Sequence, residues 1–168
     1  AKPVPQGEPG EICVAGPLLA GGYLGLPEQT ADTFRDGWLR TGDVAREDED
    51  GFWFIVDRTK DMIVTGGFNV FPREVEDVVA EHPSIAQVCV IGTPDEKWGE
   101  AVKAVVVPSV GAGVTEADLI GYARTRLAGF KLPKSVDFVD VLPRNPSGKI
   151  LKRAVREPYW RAADRPLG

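Results

Sequence analysis

Apolar positions along the 168-residue chain fall into short runs of two periods, punctuated by glycine and proline. Alternating or β-branched runs predict strands at Glu11–Gly16, Val44–Glu47, Phe52–Val56, Met62–Thr65, Ile85–Ile91, Ala101–Val107 and Val136–Val139. Within Phe52–Val56, Phe52, Phe54 and Val56 share one face, and Trp53 and Ile55 the other. Both faces are apolar, so this strand is expected to be covered on both sides. Asp48-Glu49-Asp50-Gly51 reads as the hairpin turn before it.

Helical spacing predicts a short helix over Pro27–Phe34, ended by Asp36-Gly37. A second runs from Pro72 to about His82, with Val75, Val78 and Val79 on one face, and stops at Pro83. A third opens at Thr115 as N-cap, buries Leu119, Ile120, Ala123 and Leu127, and takes Gly129 as its C-cap glycine. The last, Leu151–Glu157, is stopped by Pro158. A loop holding Pro94 and Trp98 joins the two long β-branched runs. Strands and helices do not alternate regularly, which makes the fold class α+β. The charged segment Asp57–Asp61 marks a change of composition. It divides a β-rich start, residues 1–58, from an α+β remainder, residues 59–168.

Composition narrows the function classes. Apolar residues make up 43% and charged residues 27%, the balance of a folded globular chain rather than a disordered one. No apolar run approaches the ~20 residues that span a bilayer, and Ala1–Pro5 lacks the apolar core of a secretory signal. The expectation is a cytoplasmic protein, at most peripheral to a membrane. Cys13 and Cys89 both lie in apolar runs, which excludes a disulfide framework, and with the single His82 they make no zinc site. The net charge of −5 is uneven: residues 1–59 hold 5 basic and 11 acidic side chains, whereas residues 124–168 hold 11 basic and 4 acidic. A basic tail fits either a solvated surface or a polyanionic partner such as a nucleotide, coenzyme A or nucleic acid.

Four segments carry candidate chemistry. Thr41-Gly42-Asp43 stands at a strand start, where a carboxylate either accepts two ribose hydroxyls or satisfies turn amides. In Arg58-Thr59-Lys60-Asp61 an arginine can hold phosphate bidentately, or join a surface ion-pair set. Gly66-Gly67 permits a close ligand approach or a plain turn. Pro143 to Ile150 contains Ser147-Gly148-Lys149 but is no P-loop: Pro143 replaces the first glycine and Ile150 the hydroxyl residue. It leaves Lys149 on a flexible, glycine-containing loop.

Taken in order, these segments resemble the adenylate-forming superfamily of acyl-CoA synthetases, firefly luciferase and peptide-synthetase adenylation domains. The resemblance runs from about residue 7 to residue 160. It rests on Gly22-Tyr23-Leu24 with Pro27-Glu28-Gln29-Thr30, Gly37–Asp43, Asp57–Glu76, Phe130-Lys131-Leu132-Pro133 and Pro143–Ile150. Asp95–Glu100 and Pro143–Arg153 look most like bacterial fatty-acyl-CoA ligases, with aryl-CoA ligases and peptide-synthetase lids as alternatives.

The resemblance implies that residues 1–58 end a large AMP-binding domain and that 59–168 form a small C-terminal lid with a short central sheet flanked by helices. It implies Asp43 and Arg58 on ATP or AMP, Lys60 as hinge, Gly66 and Gly67 on the coenzyme A path, and Lys149 as the catalytic residue. ATP with Mg2+ would be bound mainly by an N-terminal domain in cis, and coenzyme A would be co-substrate. The resemblance further implies small-molecule partners, with no nucleic acid and no resident metal. No segment here resembles the family's phosphate loop or acyl pocket, so the chain alone is expected to be inactive and to be either a lid or a non-catalytic interaction module. Its exposed strands are expected to favour self-association.

Overall fold

The computed structural model describes residues 2–163 and divides the chain into two units, Ala1–Lys60 and Asp61–Gly168. The first is an antiparallel sheet built on one long strand. β1 (Gly10–Val14) lies along one side of β3 (Trp38–Glu47), while β2 (Phe34–Arg35) and β4 (Trp53–Arg58) pair with its other side. Helix α1 (Pro27–Thr33) begins on Pro27 as expected. Asp36-Gly37 does not stop it, however. Their φ angles of +53° and +79° make them the two-residue turn between β2 and β3, the geometry an Asp-Gly pair favours. β3 therefore starts at Trp38, six residues earlier than the apolar alternation alone indicates.

The expectation that β4 is covered on both faces fails within this chain. Phe52, Trp53, Phe54 and Ile55 are 66%, 60%, 55% and 54% exposed. Among the described residues of the unit, the buried apolar ones are only Val44 and Ala45. An apolar pattern records the burial a strand is suited to, not the partner that supplies it.

The second unit is α+β, around a five-stranded sheet. β7 (Ile85–Asp95) and β8 (Gly99–Pro108) form a long hairpin, with β9 (Ser135–Phe138) parallel to β8. β5 (Ile63–Thr65) also meets β8 and forms a tight hairpin with β6 (Phe68–Val70). Gly66-Gly67 thus links two strands, and the sequence reading misses β6, whose three residues are too short to show a period. Pro94 lies within β7, not in a loop. It shares parity with Val90 and Gly92, whose backbone groups point away from β8, so its missing N–H would face outward from the sheet edge.

Two apolar clusters form on alternate positions of the same strands. One joins Ile63, Val90, Val102 and Val106 to Val75 and Val79 of α2 (Pro72–Ala80) and Leu119 of α3 (Glu116–Arg124). The other joins Cys89, Ile91 and Val105 to Leu142 and to Val155 of α4 (Lys152–Ala162). Thr115 caps α3 in a reciprocal box with Asp118, as the sequence indicates for the cap. Gly129 is not the C-cap: α3 ends at Arg124 and Gly129 opens a short 3-10 turn. Pro158 does not end α4, because the last turn is anchored from outside. Tyr159 Oη donates to Asp137, and Trp160 Nε1 donates to Gly92 O at 2.9 Å. No helix among the described residues is long and apolar enough to cross a membrane.

Candidate functional site

In the first unit Asp43 and Arg58 are register partners across β3 and β4, and Arg58 Nε donates to Asp43 Oδ1 at 2.9 Å. Asp43 lies inside β3, not at its start. On β1, Glu11 pairs with Val44 and Cys13 with Arg40, so Ile12 alone stands against Thr41, Gly42 and Asp43. Gly42 absorbs the excess with φ +75°. Thr41 Oγ1 donates to Ile12 O at 2.8 Å and accepts Asp43 N–H at 3.1 Å.

A bulge of this kind re-aims a side chain. The order Thr-Gly-Asp has a local reason: the hydroxyl pins the strand, the glycine turns it, and the carboxylate is presented. The Arg58 and Asp43 side chains are 50% and 35% exposed. An ion pair so exposed contributes about 0–1 kcal/mol, little enough to be exchanged for a ligand's hydroxyls or phosphates. A cavity of about 750 Å3 in the same unit, lined by Trp38, Trp53 and Val4 among others, includes neither residue in its wall. Lys60 is exposed in the 3-10 turn Thr59–Asp61, at the last position of the first unit.

In the second unit the Gly66-Gly67 turn has φ +57° and +84°, the left-handed pair of a tight hairpin. The two glycines differ in their surroundings. A Cβ on Gly66 would lie 2.7 Å from Trp98 Cε3, and Gly66 N–H donates to Trp98 O at 2.9 Å. A Cβ on Gly67 would meet nothing within 4 Å. Packing thus explains the first glycine, while the second leaves open space at an exposed hairpin tip. Beside it Phe68 stacks on Phe130 with ring centroids 4.7 Å apart. The sequence reading placed Trp98 in a loop and missed its contact with Gly66; Asp95 prepares it by accepting the Lys97 and Trp98 amides in a turn.

Lys149 is on a braced turn rather than a flexible loop. Asn145 Oδ1 accepts Lys149 N–H at 2.9 Å and the Ser147 hydroxyl at 2.8 Å, and Arg144 bridges to Ile150. Arg144 also donates to Gly148 O and to Gln87 Oε1. Its side chain exposed, Lys149 is in none of the ion pairs found among the described residues. A preformed backbone with an unengaged ammonium suits a group that meets a negative charge brought to it. Cys89, by contrast, has no reactive character: burial, with Glu76 nearby, pushes its thiol up to about 12.

The chain belongs to the adenylate-forming superfamily, and residues 74–149 match the AMP-binding enzyme C-terminal domain. It is 61% identical, over 99% of its length, to the medium/long-chain-fatty-acid–CoA ligase FadD8 of Mycobacterium tuberculosis. It is 52% identical, over 94% of its length, to a feruloyl-CoA synthase of an Amycolatopsis species. The chain spans 30% and 32% of those two relatives. Among solved structures, ATP-bound MatB from Rhodopseudomonas palustris matches with a TM-score of 0.86 and 44% identity, over 93% of this chain and 31% of that one.

Proposed function

We propose that this chain is the C-terminal part of an ATP-dependent, AMP-forming fatty-acid–CoA ligase. A carboxylate and ATP would give acyl-AMP and pyrophosphate. The coenzyme A thiol would then attack the acyl carbon and release AMP. The observation that carries this reading is the 61% identity to a fatty-acid–CoA ligase across 99% of the chain. The feruloyl-CoA synthase relative keeps an aryl acid as the second reading.

In this reading residues 1–58 complete the large AMP-binding domain and 59–168 form the lid. Asp43 accepts the ribose hydroxyls while Arg58, released from it, donates to ribose or phosphate. Lys149 brings its ammonium to the acyl carboxylate and α-phosphate, where charge grows during adenylation. Lys60 is the hinge about which the lid turns between the two steps. Gly67, with open space at its Cα, borders the pantetheine path, and Gly66 supports it through Trp98. Mg2+ is assigned to the phosphates of ATP and to the N-terminal part of the protein. The open faces of β4 suit burial against that part, and in the isolated chain they favour self-association.

The test is Lys149→Ala in the full-length protein, with the half-reactions assayed separately. Adenylation, read as ATP–pyrophosphate exchange, is expected to fall ~10²–10³-fold. Thioester formation from supplied acyl-AMP is expected to stay within a few-fold of the parent. Equal loss in both steps refutes the assignment.

A further inference from the structure

Helix α4 is fastened to α2 and to the sheet largely by polar contacts. Val155 is its one buried residue. Lys152 reaches Glu76 at 3.0 Å and Arg156 reaches Glu100 at 2.7 Å. Glu100 stands out for where its second oxygen goes: Oε2 accepts the Val64 N–H at 2.7 Å, in the strand that leads into Gly66-Gly67. Arg156 lies about one helical turn into α4, seven residues after Lys149. One carboxylate therefore touches both the segment that carries the lysine and the hairpin that carries the open glycine.

This contact is a costly way to hold a helix. The Arg156 and Glu100 side chains are only 15% and 14% exposed, and the buried Arg156 Nε has no hydrogen-bond partner. Buried pairs of this kind stabilise less than apolar packing of equal volume, and their best-attested use is to fix register. The surroundings are shaped for it. A Cβ on Gly92 would lie 2.8 Å from Glu100 Oε1, and the Arg156 guanidinium lies 4.6 Å from the Trp160 ring centroid.

The geometry points to Glu100 and Arg156 as positioning residues that couple the Lys149–α4 segment to the Gly66-Gly67 hairpin. Arg156 holds one oxygen of Glu100, so that the other faces the Val64 amide. That contact sets where β5 delivers the hairpin tip. The coupling itself stands on these contacts; its effect on the thiol step rests on the function proposed above.

Two measurements test it. Hydrogen exchange on the 168-residue chain reads the coupling without any activity. Arg156→Met is expected to speed exchange at Val64 about 10-fold, with Val105 in mid-sheet unchanged and Arg156→Lys close to the parent. Should Arg156→Met fail to fold, Glu100→Gln/Arg156→Met removes both charges together and serves in its place. In the full-length ligase the same variants are expected to raise KM for coenzyme A about 10-fold, with supplied acyl-AMP. Val155→Ala, a core truncation in the same helix, is expected to lower Tm and leave that KM unchanged. Unaltered Val64 exchange overturns the coupling. Faster exchange with an unaltered KM overturns its functional half. A full-length parent that forms no acyl-AMP from fatty or aryl acids would instead refute the ligase reading, and the exchange result would still decide the coupling.

Discussion

Alanine placed at Gly66 and, separately, at Gly67 meets the same backbone and different neighbours. Both positions hold left-handed φ, which costs a residue with a Cβ about 1–2 kcal/mol. At Gly67 nothing else is added, since no atom lies within 4 Å of the new carbon. At Gly66 the carbon would stand 2.7 Å from Trp98 Cε3 and 3.1 Å from Cζ3, inside the ~3.5–4.0 Å of an ordinary carbon contact. Trp98 is 43% exposed and can tilt away, but only by giving up its seat on the hairpin. Overpacking of that kind adds about 1–3 kcal/mol.

The expected difference between the two variants is therefore about 2 kcal/mol. With a urea m-value of ~2 kcal/mol per molar, it appears as a gap of about 1 M between midpoints. Changing Trp38 and Trp53 to phenylalanine leaves Trp98 and Trp160 to report on the second unit by fluorescence. Trp98→Ala should then erase the gap, with Trp160 as the remaining probe. Equal midpoints for the two variants, or a Gly66 penalty that survives Trp98→Ala, would refute the steric reasoning.

Two further expectations follow from other parts of the chain. Lys60→Pro fixes φ near −65° at the junction of the units, so in the full-length protein it should preserve ATP–pyrophosphate exchange and slow thioester formation several-fold; a variant equal to the parent in both steps removes Lys60 from the hinge role. Burial alone would raise the Asp137 carboxyl, but hydrogen bonds from Lys103 and Tyr159 outweigh it and hold it below its ordinary value. Its contribution is thus present above the unfolded pKa of ~3.9 and lost as pH falls through the folded one. Asp137→Asn should lower Tm at pH 7 and differ less from the parent at pH 3, and a gap that widens on acidification would contradict the assignment.

The sequence revealed elements wherever one local rule governs. Thr115 and Asp118 announce a helix start because the cap is made by residues three apart. Pro27 and Pro72 do the same because proline fits the first turn. It misled where a distant contact decides. Pro158 sits inside α4 because Tyr159 and Trp160 are held by β9 and β7. Pro94 sits inside β7 because the edge asks no N–H of it.

The site was legible as residue types and order, and its geometry was not. Thr41-Gly42-Asp43 becomes a bulge only against Ile12, a partner 29 residues upstream of Thr41. Glu100 entered the sequence reading only as part of the Asp95–Glu100 resemblance, and its bridging contacts gave no signal, since its two partners lie 36 and 56 residues away.

The outer edge of β7 has a consequence in time. Its backbone is closed by two side chains that are made at very different moments. Glu76 accepts the Val90 N–H and precedes the strand, whereas Trp160, which covers Gly92 O, comes 65 residues after Asp95. At ~5–20 residues per second of synthesis, the far end of that strand waits on the order of 3–13 s for its cover. During that interval a newborn chain carries a half-protected β edge as well as the exposed aromatic residues of β4. Crowded translation of this protein is therefore most exposed to mispairing between neighbouring nascent chains before α4 has emerged, and a chaperone that shields strands would act on it in that window.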